Sequence, residues 1–113
     1  MNRVIEQLEL ASRLLDDVFS IGVWSESDDS SDNRNRRKGI REVDWAVADA
    51  YRSAASIETP EAQALARDLL ALDKIIEVIP DTISDTMAKG AGFDATVLDL
   101  REKVAALLER ARR

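Results

Sequence analysis

Cysteine and histidine are both absent from the 113 residues of this chain. Without cysteine there is neither a disulfide framework nor a thiolate zinc site. Without histidine there are no imidazole general bases, no Ser-His or Cys-His nucleophile pairs and no histidine-containing metal motifs. Aromatic residues amount to only 4%, so a core has to be built from Leu, Ile, Val and Ala, which pack well between helices. Long hydrophobic runs are missing too. Nothing approaches the roughly 20 apolar residues that a membrane-spanning helix needs, and Met1 leads into an amphipathic segment with Glu6 and Glu9, unlike a secretory signal. A cytoplasmic location with no membrane partner is therefore expected. The net charge of −6, from 22 acidic and 16 basic residues, disfavours nonspecific attachment to nucleic acid or anionic lipid.

What is present is a helical pattern. Apolar residues recur at alternating three- and four-residue spacing in four stretches of similar length, as in heptad seams. The first runs through Val4, Leu8, Ala11, Leu15 and Val18, behind Asn2 as N-cap, with Ile5, Leu14 and Phe19 widening its stripe. The second runs through Ile40, Val43, Val47, Ala50, Ala54 and Ile57. A third follows at once with Ala62, Leu65, Leu69, Leu72, Ile76 and Ile79, announced by Thr59 as N-cap, Pro60 at the first helical position and Glu61 in the first turn. So short a connection makes the second and third helices an antiparallel hairpin. Pro80 closes the third helix, and a short helix over 81–88 is expected to turn Ile83 and Met87 inward. Gly90-Ala91-Gly92 reads as a turn, and Asp94 as the N-cap of a last helix carrying Val97, Leu100, Val104, Leu107 and Ala111.

Between the first two helices, residues 25–39 hold no apolar residue. Glu26, Asp28, Asp29 and Asp32 come first, followed by Arg34, Arg36, Arg37 and Lys38, which predicts a long, partly self-neutralising flexible loop. The expectation is one all-α domain over 1–113: four-helix bundle-like, with one additional short helix and a long charged loop between helices 1 and 2.

Candidate chemistry is sparse. Asp28, Ser30 and Asp32 imitate the opening of a calcium loop, but Asn33 stands where glycine is needed and Gly39 where the bidentate glutamate belongs. Carboxylates at helical spacing, Glu6 with Glu9, Asp81 with Asp85 and Asp99 with Glu102, raise the alternative of a magnesium-dependent all-α hydrolase; such enzymes need several pairs converging on one pocket, and here each pair sits on the polar face of a different segment. No catalytic residue, metal ligand or cofactor is assigned. Arg34 to Arg41 supply guanidinium groups that suit phosphate or an acidic protein surface, which makes nucleic-acid binding another alternative, although no aromatic residues interleave with them.

Trp45 is the residue that points furthest. With Ile40 and Val47 on the seam, it falls on the opposite, outward face of the second helix, with Arg41 and Asp49 one turn to either side and Ala48 and Arg52 on the same face. The competing expectation is that Trp24, Val23 or the short helix covers it, since large aromatics are mostly buried. The preferred expectation is a non-catalytic module that binds another protein through Trp45, Arg41 and Arg52 together with Arg34, Arg36 and Arg37. Small acidic helical proteins without catalytic residues are common among phage and mobile-element products that block host defence complexes, CRISPR inhibitors included, and size and composition extend that analogy to an inhibitor here. A homodimer, in which an incompletely covered stripe completes its core across a two-fold axis, is a further expectation.

Overall fold

The computed structural model describes residues 1–20, 31–79 and 91–113. Four helices pack together: α1 (Asn2–Ser20), α2 (Ser31–Ala55), α3 (Pro60–Glu77) and α4 (Ala91–Arg112). No strand occurs among the described residues. The heptad seams are what bring the helices together. Each seam residue named above is buried except Ile57, which is half-buried, and the buried ones apart from Ala62 form one continuous core with Ala46, Ala66 and Leu108. Because α2 and α4 each flank α1, and α3 flanks α2, the helices follow one another around that core in chain order.

Neighbouring helices run antiparallel. Arg3 near the start of α1 pairs with Asp49 late in α2, at 2.7 Å, while Val18 at the end of α1 lies against Gly39 early in α2. Arg101 and Arg112 of α4 meet Asp16 and Glu9 of α1 at 2.8 and 3.5 Å, and Arg110 of α4 pairs with Asp68 of α3. The α2–α3 corner is closed by polar contacts. Thr59 Oγ1 accepts the Ala62 N–H at 3.1 Å, satisfying one of the donors that a helix start leaves free. Gln63 Nε2 donates to the carbonyls of Ala55 and Ile57 at 3.0 and 2.8 Å, which supplies partners to carbonyls at the C-terminal end of α2.

Two helix starts differ from expectation by three residues or more. α2 starts at Ser31, nine residues before Ile40, so the 31–39 part of the expected loop is helix instead. The physical reason lies in the seam itself. Arg36 stands four residues before Ile40 and continues the 36, 40, 43, 47, 50, 54 spacing, and its side chain is 0% exposed. An unbroken buried stripe therefore runs into the charged segment, and the helix goes with it. Gly39 also serves this extension, because a Cβ there would overlap Val18 Cγ2; the missing side chain lets α1 and α2 approach. The second difference is in α4, which includes Ala91 and Gly92 and begins three residues before the expected cap Asp94. Gly92 falls in the first turn rather than in the interior, so the glycine penalty of a mid-helix position does not apply. The expected short helix over 81–88, residues 25–30, and the proposed cover from Val23 and Trp24 lie outside the described residues.

Candidate functional site

α1 and α2 meet along a surface groove lined by Gln7, Leu10 and Leu14 of α1 and by Glu42, Trp45, Ala46 and Asp49 of α2. The seam dictates this arrangement. Val43, Val47 and Ala50 point into the core, so Trp45 is carried outward, and it is 65% exposed. Leu10 and Leu14 stand beside the buried α1 seam rather than on it and are half-buried. The result is an aromatic side chain next to a leucine pair, edged by Glu42 and Asp49. Asp49 is fixed at that edge by Arg3 at 2.7 Å, with Arg52 at 3.9 Å.

The outward placement of Trp45 agrees with its position relative to the seam. Its neighbours are only partly those expected. Arg41 and Arg52 are exposed and share its outer helix face, one and two turns away, but neither lines the groove. Leu10 was not singled out from the sequence. The available signal was its place next to the α1 seam, on the same flank as Leu14, together with an outward tryptophan on the neighbouring antiparallel helix.

The basic segment is not a single surface. Arg34 is exposed, Arg37 half-buried and Arg36 fully buried, because a helix turns successive residues through 100° and spreads them around its axis. Each of the three is held by at least one polar or electrostatic contact. Arg36 is thereby removed from the candidate contact surface and placed in the core, where only its seam spacing could have announced it.

An acidic cluster lies on the other side of α2, where Asp44 approaches Asp73 and Glu77 of α3. Burial pushes the Asp44 carboxyl up to about 7 from an ordinary 3.8, and a hydrogen bond to Asp73 and the negative charges of Asp73 and Glu77 act in the same sense. Among the described residues, no group of three or more side chains is arranged to hold a metal ion. Of the carboxylate pairs considered from sequence, Asp81 and Asp85 lie outside the described residues, Glu9 faces Arg112, and Asp99 is taken up by Lys103 at 2.6 Å. No described helix is long and apolar enough to cross a membrane.

No protein-family model, curated protein or solved structure matches this chain.

Proposed function

We propose that the chain is a non-catalytic four-helix-bundle module that binds another protein through the α1–α2 groove, with Trp45 as its anchor. The observation that carries this reading is a tryptophan 65% exposed beside Leu10 and Leu14, in a groove edged by Glu42 and Asp49. Leaving so large an apolar ring in water forfeits about 2 kcal/mol of burial, and a partner surface recovers it. Aromatic anchors surrounded by small and charged residues are what binding hot spots consist of. Arg41 and Arg52 on the one side, and Glu42 and Asp49 on the other, give the anchor a rim of both signs that selects for orientation more than for affinity.

The experiment is quantitative affinity capture from the native cell, with wild type, Trp45→Ala and Arg34→Ala compared side by side. Proteins retained by wild type and by Arg34→Ala but lost with Trp45→Ala identify the partner. If the retained set is the same for all three, the groove is not the binding surface. An inhibitory role, which rests on size and composition alone, is then tested by assaying the captured protein with and without saturating chain.

A further inference from the structure

The α3–α4 flank lies opposite the Trp45 groove, and there the two helices touch far less than the other neighbouring pairs do. A groove of about 260 Å³ separates them, with Leu72 and Leu107 at its base, Ala71, Ile75 and Ala106 along its sides, and the charged side chains of Asp68, Lys103 and Arg110, each paired within the chain, also lining it. Ile75 is 47% exposed, and Val78 one turn further on is 52% exposed. Nothing catalytic lines this groove. Its open surface is a mainly apolar strip, and the outer edges of the two helices carry an ordered charge pattern.

On α3, Arg67 and Lys74 are seven residues apart on the edge turned away from α4. On α4, Glu102 and Glu109 are seven residues apart on the edge turned away from α3. All four are exposed. Among the described residues Arg67, Lys74 and Glu102 form no ion pair, and Glu109 pairs only with Arg113, four residues on and just past the end of α4. By contrast Arg101, Lys103, Arg110 and Arg112 of α4 are all engaged. One edge of the flank is therefore basic and the other acidic, at equal spacing.

We propose that a second copy of this chain docks on the α3–α4 flank about a two-fold axis parallel to the helices, so that each α3 lies antiparallel against the other copy's α4. Rotation about that axis exchanges the two helices while keeping their direction. Arg67 and Lys74 of one copy then fall level with Glu109 and Glu102 of the partner subunit, within one helical turn of the register that Asp68 and Arg110 set inside each chain. Ala71, Ile75 and Ala106 of both copies close the strip between these charge pairs. A two-fold axis perpendicular to the helices would instead lay α3 on α3 and bring Arg67 beside Lys74, like charge on like. A foreign amphipathic helix would cover the strip, but it gives no reason for opposite charges at matched spacing on two adjacent helices.

The test is analytical ultracentrifugation of the full chain from about 1 µM to about 1 mM, where a weak dimer declares itself by mass action. Wild type is expected to dimerise with concentration. Lys74→Glu and Glu102→Lys each place like charges at two symmetry-related pairs and are expected to weaken the dimer about tenfold or more. An equimolar mixture of the two variants is expected to recover it, because every pair in the mixed dimer is again of opposite sign. Circular dichroism of each variant checks that the helices remain. A chain that stays monomeric throughout, a dimer indifferent to both charge variants, or a mixture that fails to recover association overturns the proposal. So does a dimer abolished by Trp45→Ala, which would place the contact on the opposite flank.

Discussion

Asp44 holds its proton to higher pH than an aspartate in water because it is partly withdrawn from solvent and faces Asp73 and Glu77. With its folded value near 7 and an unfolded value of 3.8, the folded chain binds more protons between these limits. The contribution of Asp44 to stability is thus fully present below the unfolded value and is lost as pH rises toward 7. Asp44→Asn should melt higher than wild type at pH 8, and this advantage should shrink steadily as the buffer is taken down to pH 5. Parallel melting curves of the two proteins over that range would contradict the acidic contact between α2 and α3. Arg36 is the other residue whose surroundings decide its behaviour. Truncating a buried, engaged guanidinium leaves both a void and unsatisfied groups, so Arg36→Ala should cost about 3 kcal/mol in chemical denaturation. Arg36→Met, which keeps much of the volume without the charge, should cost distinctly less. Equal losses would mean that the charge, not the filling of the seam, is what that position requires. Arg36 reads in the sequence as one more charge in a solvated run, with its seam spacing as the one mark of the core, and nothing local to the sequence distinguishes Asp44, whose surroundings are set by α3.

At the scale of the helices, legibility followed the physics of each boundary. The start of α3 could be read because Thr59, Pro60 and Glu61 each act through backbone chemistry local to the sequence, and Thr59 caps Ala62 as that chemistry requires. The seams could be read because burial repeats with the helical period. The start of α2 could not, because what extends that helix is contact with α1, and such contact leaves no local mark beyond one spacing. Gly39 tests this account. On propensity alone Gly39→Ala should stabilise a helix interior by about 1 kcal/mol. Since the added methyl would overlap Cγ2 of the buried, β-branched Val18, a net loss of about 1–3 kcal/mol is expected instead. A measured gain in the denaturation midpoint would show that α1 and α2 are not pressed together there. Gln63 was equally invisible, because its value depends on two carbonyls across the corner, at Ala55 and Ile57.

For the molecule as a whole, the 47 × 21 × 18 Å extents describe a rod about as wide as two helices, with its apolar residues gathered along the axis. Such a shape has long flanks, and the outward position of Trp45 on one of them could be read from the sequence. Being largely in water, that side chain does little for the fold. Trp45→Ala should shift unfolding free energy by no more than about 0.5 kcal/mol while abolishing capture of the partner. A large loss of stability would instead make the ring a structural element of the α1–α2 contact. The Leu10 and Leu14 part of the groove escaped the sequence reading because it depends on how α1 and α2 are rotated against each other, which no single helix pattern specifies.

That the Trp45 groove and the α3–α4 strip occupy opposite flanks has a consequence for valency. Two chains joined back to back through the strip would point their tryptophans away from each other, as a two-headed clasp does. A target displaying repeated epitopes would then be gripped at both ends, with retention set by the spacing of those epitopes as much as by the strength of either grip.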